Sequence, residues 1–385
     1  MVKVSVLKCS SYDTNELYKT IKQSLKNINF TIPKNKKILI KPNVLGQKKP
    51  NTSINTHPAV IDALCQILKE KNNEIWIGDS SGIASYGGTK KAFRISGIEE
   101  VAKKHNCRLI SFEGSQRKKI IDNNAKIIKK FVLAKEPFLA DLIINVPKLK
   151  THVLMRFTGA VKNMFGCVPG GGKSRKHAIA PNEDKFANLL LDIYQNIKPQ
   201  LNIMDAIMGL EGNGPGSGGN PKKVGLIITS KDAVALDIVA SKIIGYDPLE
   251  IKTTKYAIER GIFSEKVEVI GEKNYRVRFK KPIRKSKFAR AMPKTIIKLM
   301  FTITSIKPYI KKQRCKKCKI CYNVCPTKAI TLDPYPKFNR KKCILCYCCH
   351  ENCPYKAIEL KKNPIIEIYE RIKNAMWRIN NKKED

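Results

Sequence analysis

Negative charge is scarce in this chain of 385 residues: 32 aspartates and glutamates stand against 74 lysines and arginines, a formal net charge of +42. That shortage favours anionic partners over cationic ones: an acidic redox protein, an anionic lipid surface, nucleic acid or a phosphorylated ligand. Nucleic acid is the weakest of these, because aromatic stacking residues are not interleaved with the basic ones. Long apolar runs are also missing. None approaches the roughly 18 to 20 residues that span a bilayer, which excludes a conventional membrane-spanning helix. Met1-Val2-Lys3-Val4 leads straight into a strand-like alternation with no signal-peptide stretch, so a cytoplasmic protein is expected. A disulfide framework is not indicated either. Nine of the thirteen cysteines fall between Cys315 and Cys353 at spacings that serve metals rather than bridges. Cys9, Cys65 and Cys107 read as buried small hydrophobes.

Charge is spread unevenly. Residues 276–314 carry fourteen basic side chains and no acidic one, whereas residues 315–363 carry eleven against three. A lysine-, asparagine- and isoleucine-rich bias of the whole chain accounts for part of this. The stretch 276–312 is expected to be a basic linker with an amphipathic helix, Ile296 to Ile306, suited to a membrane surface or to docking on a neighbouring domain. Ile365, Ile368, Ile372, Met376 and Ile379 predict a C-terminal helix over 364–385.

Residues 1–275 alternate short apolar runs with amphipathic stretches, as an α/β domain with a mixed or parallel sheet does. Strands are expected at Val2–Leu7, Lys37–Ile40, Glu74–Ile77, Arg108–Phe112, Asp141–Val146, Leu201–Met204, Val224–Thr229 and Val267–Ile270. The clearest helices are His57–Lys71, with Pro58 at its first position, and Asp232–Ile244. Several strands run into polar clusters: Lys41-Pro42-Asn43, Gly78 to Gly82, Pro147 to His152, and Asp205 followed by Gly209 to Gly212. Ligands of parallel sheets bind beyond the carboxyl ends of strands, so this repetition predicts a cleft, although each cluster alone could be a cap or turn.

The strongest motif lies at 313–363, expected to be a small α+β domain of ferredoxin type. Cys315-x2-Cys318-x2-Cys321-x3-Cys325-Pro326 is followed by Cys343-x2-Cys346-x2-Cys349-x3-Cys353-Pro354, the spacing of bacterial two-cluster 4Fe-4S ferredoxins, in which the fourth cysteine of each run serves the other cluster. One cluster is thus expected on Cys315, Cys318, Cys321 and Cys353, the other on Cys343, Cys346, Cys349 and Cys325. Cys348 breaks the repeat spacing and is set aside. Zinc is disfavoured, since a third cysteine two residues on and the Cys-Pro are not features of zinc ribbons. Cys-Pro-x-Lys-Ala-Ile recurs at Cys325 and Cys353, the mark of a duplicated half-module.

Two glycine-rich stretches fail as motifs. Gly166 to Ser174 is one residue out of register for a phosphate-binding P-loop, with Pro181 where a helix should begin. Gly214-x-Gly216-x2-Gly219 is followed by a strand instead of a helix. Both read as glycine-rich loops near the cleft. His152, beside Lys148 and Lys150, is a candidate acid, base or metal ligand. His57 reads as a helix start, and His105 and His350 as surface groups.

The succession LIKPN, GDSSG, NVPKLKTH, TGAVKNMFG, MDAIMGLEGNGPGSGG and SKDAVALDIVA resembles the domain of unknown function family 362 over roughly residues 1–270, and a C-terminal ferredoxin is a frequent companion of that family. The family is α/β and similar, at a distance, to the nickel-pincer lactate racemases, whose ligands use lysine and histidine; those nickel positions do not transfer to this sequence residue by residue. The resemblance implies a catalytic set of Lys148, Lys150, His152, Asp79 and Asp205. It also implies a ligand-binding set of Lys41, Asn43, Lys162, Asn163 and Glu211, with Asp232 and Asp237 beside them. Lysines at several strand ends suit a small anionic ligand.

The expected function is single-electron transfer through two 4Fe-4S clusters to a substrate or cofactor in the α/β cleft, as in a ferredoxin-dependent oxidoreductase. The alternative is an electron carrier or accessory protein without catalysis of its own. An acidic redox partner suits the basic module. Positive surroundings stabilise the more negative reduced cluster, so voltammetric potentials should fall as salt or lysine substitution weakens that field; potentials indifferent to both would remove the argument.

Overall fold

In a computed structural model, residues 1–82, 88–170, 172–283 and 307–361 are described. The first body is built on a ten-stranded mixed sheet. Its strands are β1 (Val2–Lys8), β2 (Lys37–Pro42), β3 (Glu74–Asp79), β4 (Arg108–Ser111), β7 (Leu142–Val146), β8 (Lys148–His152), β9 (Arg156–Thr158), β10 (Leu201–Gly212), β11 (Gly219–Ser230) and β12 (Val267–Gly271). A separate antiparallel hairpin, β5 (Arg117–Ile121) with β6 (Lys130–Ala134), lies off the sheet. The order β12-β1-β11-β10-β7-β2-β3-β4 places β2 between β3 and β7, parallel to both. β1 and β11, like β10 and β11, pair antiparallel.

The eight expected strands all form, most of them longer at the carboxyl end. Ile38, Leu39 and Ile40 show why: a strand buried on both faces reads as a continuous apolar run. Ile38 and Ile40 pack with α1 (Thr14–Asn27), α2 (Pro58–Lys69), α3 (Gly88–Ile95) and α4 (Ile98–Lys104), while Leu39 joins the core on the other face. That second face is covered by α5 (Ala160–Asn163), α7 (Glu183–Asn196), α8 (Ala233–Ile243) and α9 (Lys252–Glu259), with α6 (Gly172–Ile179) preceding α7. His57 caps α2 by accepting from Ala59 N at 3.3 Å. Asp232 caps α8 by accepting from Val234 N and Ala235 N at 2.7 and 2.8 Å, which removes it from any cleft.

Residues 148–152, expected as a polar cluster beyond a strand, are strand β8 itself, parallel to β10 and antiparallel to β9. The charged Lys-Leu-Lys-Thr-His sequence hides this, because its lysines are buried and paired. The expected linker is also partly structured. Phe279 is 3% exposed in the main core, Lys280 N donates to Glu211 Oε2, and Ile283 N donates to Asn213 Oδ1, so residues 276–283 belong to the first body. The amphipathic helix expected at Ile296–Ile306 and the helix over 364–385 lie outside the described residues.

The second body is small: β13 (Lys307–Ile310) pairs antiparallel with β16 (Ile358–Lys361), and β14 (Ile330–Asp333) with β15 (Tyr335–Phe338). Helices α10 (Ile320–Val324) and α11 (Cys348–Glu351) pack on each other. Its duplication is visible in the backbone. Lys317, Lys319 and Lys328 have positive φ, and so do Leu345, Tyr347 and Lys356, each at the spacing that separates Cys315 from Cys343. Tyr347 and Leu360 pack on Val153 of the first body, and Lys48 Nζ donates to Pro354 O at 3.4 Å.

One packing contact controls where α5 begins. Asp237 of α8 accepts from Ala160 N at 2.6 Å and Val161 N at 3.1 Å, and a Cβ on Gly159 would lie 2.0 Å from its Oδ1. Asp237→Ala leaves two buried N–H groups without acceptors and should cost more than about 2 kcal/mol in denaturant titration. Gly159→Ala should be about as damaging, because the added Cβ would displace the Asp237 carboxylate that caps α5 and press on the buried Phe157 ring.

Candidate functional site

Where β2 and β3 end, a cavity of about 90 Å3 opens between the two bodies. Lys41, Asn43, Asp79, Lys162, Asn163, Lys173 and His177 line it from the first body, and Val324, Cys348 and Asn352 from the second. Lys41 Nζ lies 2.8 Å from Asp79 Oδ1, with the two side chains 1% and 2% exposed. Asp79 also accepts from Ser80 N and, at Oδ2, from Val44 N, both at 2.8 Å. Its oxygens thus hold Lys41 and the chain around the cavity. Asn163 continues the wall, accepting from Asn43 Nδ2 at 2.9 Å and donating to Asn145 Oδ1 at 2.7 Å. Lys150 donates to Asn43 Oδ1 and to Ile54 O, so it braces the cavity from behind.

The expected cleft set therefore divides. Lys41, Asn43, Asp79, Lys162 and Asn163 meet at the cavity. Lys148 and Asp205 do not: they pair at 2.8 Å in a separate buried network where Tyr12 OH accepts from Lys148 Nζ and donates to Asp205 Oδ1. Tyr12 stacks on His57 with centroids 3.6 Å apart, and His57 N donates to Asp205 Oδ2. Burial lowers the Lys148 pKa, against the pull of Asp205. Glu211 sits at the outer end of β10, tied to Lys280 N. His152 is 1% exposed and its Nδ1 accepts from Leu154 N and Met155 N, so its proton stays on Nε2. Burial first, then Lys162, His177 and Lys150, push its pKa well down and keep it neutral. The surface positions expected for His105 and His350 are also corrected. His105 meets Asp62, and His350 is 6% exposed, with Nδ1 2.7 Å from Ile358 O and Nε2 3.4 Å from Asn213 O of the first body.

Sequence reasoning missed Lys173 and His177. Both stand on α6, which grows directly out of the glycine-rich stretch rejected as a P-loop; the helix starts at Gly172 and ends before Pro181. Gly170 N donates to Ser80 Oγ, and Lys173 Nζ donates to Ser80 O and Ser81 O. Gly166 has to be glycine, since a Cβ would lie 2.2 Å from Asp79 Oδ1 and 2.5 Å from Lys41 Nζ. Burial lowers the Lys173 pKa to about 8, Asp79 opposing and Lys41 adding to the shift. The His177 ring stacks on Phe186 at 4.3 Å and meets Phe165 edge-on at 5.7 Å. Burial, then Lys162, lowers its pKa to about 3, so it is neutral. Its Nδ1 is buried with no hydrogen-bond partner among the described residues, an arrangement that costs about 1–3 kcal/mol unless a ligand completes it.

The second body gathers the cysteines. Cys315, Cys318, Cys321 and Cys353 line one apolar cavity of about 20 Å3. Burial, together with the neighbouring Cys318, Cys353 and Cys315, pushes the Cys321 thiol up to about 11. Burial and the thiols of Cys346, Cys343, Cys321 and Cys325 also raise Cys349 well above the usual thiol range. Crowded, desolvated thiols resist ionising unless a cationic centre replaces their protons, which is the donor set an iron–sulfur cluster needs. Ala329 N donates to Cys325 Sγ and Ala357 N to Cys353 Sγ, each at 3.2 Å, matching contacts on the fourth cysteine of each run. Among the described residues no three His, Cys, Asp or Glu side chains close on a single ion; the cysteines surround a cavity instead of a point.

Residues 38–242, just over half of the chain, match the family described as Domain of unknown function (DUF362). The chain belongs to this family. Residues 314–357 match a 4Fe-4S dicluster domain, so the DUF362 body carries a ferredoxin-type module with a 4Fe-4S cofactor and an electron-transfer role. A thylakoid-associated protein of Synechocystis sp. is 34% identical over 259 residues, covering 66% of this chain and 78% of that protein. The lactate racemase apoprotein from Thermoanaerobacterium thermosaccharolyticum is 15% identical with a TM-score of 0.35, over 53% of this chain and 50% of that one. The chain thus spans half the length of that structure, a likeness too distant to transfer a cofactor. Among the described residues no helix is long and apolar enough to cross a membrane.

Cys348 is 7% exposed on the cavity side of α11, next in sequence to Cys349. Cys348→Ser should leave iron and sulfide content unchanged in anaerobically purified protein, whereas Cys349→Ser should lose a large part of both. Equal losses would make Cys348 a ligand.

Proposed function

We propose that this chain passes single electrons through two 4Fe-4S clusters to a small anionic substrate or cofactor held in the cavity between its two bodies. In this reading Cys315, Cys318, Cys321 and Cys353 hold one cluster, and Cys343, Cys346, Cys349 and Cys325 the other. Such clusters supply one-electron chemistry over a wide range of potentials. The observation that carries the reading is the make-up of the cavity wall. Val324 and Cys348, the chain neighbours of Cys325 and Cys349, line the same cavity as Lys41, Lys173 and His177. One peptide unit, about 3.8 Å between Cα atoms, separates each of them from a ligand of the second cluster.

The polar residues of the cavity fit the other half of the reading. Among the described residues the cavity is lined by Lys41, Lys162 and Lys173 and by one carboxylate, Asp79, which already holds Lys41, so an anion is the ligand the charges favour. Each electron accepted adds negative charge to the ligand. Lys173 stabilises that charge, and with a pKa of about 8 it releases a proton to the reduced product near neutral pH. His177 orients the ligand through Nδ1.

A carrier without catalysis of its own is the second reading. Cys318 is exposed in a stretch that also bears Lys316, Lys317 and Lys319, a face that suits an acidic redox protein docking beside the first cluster. A cluster of reduced thiols belongs in a reducing compartment, which favours the cytoplasm. The basic stretch 276–312 suits the surface of a membrane there, a setting that the thylakoid-associated relative supports.

Anaerobic purification should yield about eight iron and eight sulfide per chain and, on denaturation, a small anion identifiable by mass spectrometry. Because Lys173 binds an anion only when protonated, affinity should fall by up to about tenfold per pH unit above about 8. Lys173→Met should bind weakly at every pH, with that dependence gone. If the pre-reduced protein keeps its electrons when the released anion is added back, the enzyme reading fails and the carrier reading stands.

A further inference from the structure

The β5–β6 hairpin, the loop at Val168 and Pro169, and helix α6 enclose a second cavity of about 270 Å3, on the other side of α6 from Lys173 and His177. Its floor is apolar, made of Ile128, Phe131, Val132 and Val168; its rim carries Arg117, Lys130, Arg175 and Lys176, and no carboxylate lines it among the described residues. Exposed cations are common all over this chain, and Arg117, Lys130 and Arg175 are of that kind. Lys176 is different. It is 8% exposed, and its ammonium lies 5.5 Å from the centre of the Phe131 ring, with no hydrogen-bond or ion-pair partner among the described residues. Burial and Arg175 lower its pKa, the expected response of an ammonium taken from water without a counter-ion. A buried charge of this sort is expensive unless an anion joins it.

We propose that this cavity binds a single-chain anionic amphiphile, with its carboxylate against Lys176 and Arg175 and its acyl chain along Ile128, Phe131, Val132 and Val168. The volume is close to the lower end for ligand pockets, about 300 Å3. Among the described residues no hydroxyl or amide side chain lines the cavity, so the sugar of a nucleotide would find its polar groups unmatched. The half-exposed Ile179, 50% accessible at the rim, is covered once a chain lies beside it.

Isothermal titration of the anaerobically purified full chain with dodecanoate, kept below its micellar concentration, tests this. Saturable one-to-one binding is expected, weakened about tenfold or more by Lys176→Met, which keeps an unbranched stem without the charge. Val132→Trp, which fills the floor and leaves the rim charges in place, should weaken it as much, and dodecanol should bind at least about tenfold less well than dodecanoate. Iron content and melting temperature of each variant show whether it has folded, so either substitution suffices if the other does not. No binding of dodecanoate, equal binding of dodecanol, or an affinity unmoved by a folded variant overturns the proposal. Sedimentation with phosphatidylglycerol vesicles without binding of monomeric dodecanoate also overturns it and assigns the patch to a bilayer surface.

Discussion

The buried pair of Lys41 and Asp79 is the constraint on which the candidate site depends. These residues stand at the ends of neighbouring parallel strands, so the sheet fixes their separation before either side chain chooses a rotamer. A buried ion pair is no large source of net stability, but removing one partner strands the other charge at a cost of about 3–5 kcal/mol. Asp79 uses its remaining hydrogen bonds on Ser80 N and Val44 N, and Gly166 is packed against the pair with no room for a side chain. The two chain segments that leave β2 and β3, together with the glycine-rich loop, are therefore positioned by one ion pair. The cavity is the space left between them and the cysteine-bearing helices.

Around that pair, the fold separates charges by use. Lys148 and Asp205 satisfy each other with Tyr12, Lys150 braces Asn43, and Asp237 is spent on the start of α5. What remains inside the cavity is cationic or neutral: Lys173 with its pKa lowered to about 8, and His177 held neutral between two phenylalanines. The same short helix turns Arg175 and Lys176 toward the second cavity. Helix α6 thus has one side on the first cavity and an apolar, cationic side on the second.

The strands of the α/β body were legible because parallel strands buried on both faces leave continuous apolar runs, as Ile38–Ile40 and Leu142–Val146 do. β8 was not. Its lysines and histidine look like a solvated loop until the groups that hydrogen-bond them, Asp205, Asn43 and the backbone N–H groups of Leu154 and Met155, are placed around them. Lys173 and His177 escaped for a related reason. Their stretch was compared with one phosphate-binding motif and failed it, although a run of glycines ending in lysine still marks a backbone that comes close to something. The buried position of His350 rests on Asn213, 137 residues away, and no local pattern carries that.

The sequence alone determined the family, the α/β class and the iron–sulfur module, because each is written in short-range pattern: ordered motifs, apolar periodicity, and cysteines whose spacing is dictated by wrapping a cluster. Only the tertiary structure decided which polar residues share a cavity and which neutralise one another. Ion pairing, burial and the docking of the second body on Val153 and Asn213 join positions far apart in the chain, and local composition does not distinguish a buried lysine with a partner from one that waits for a ligand.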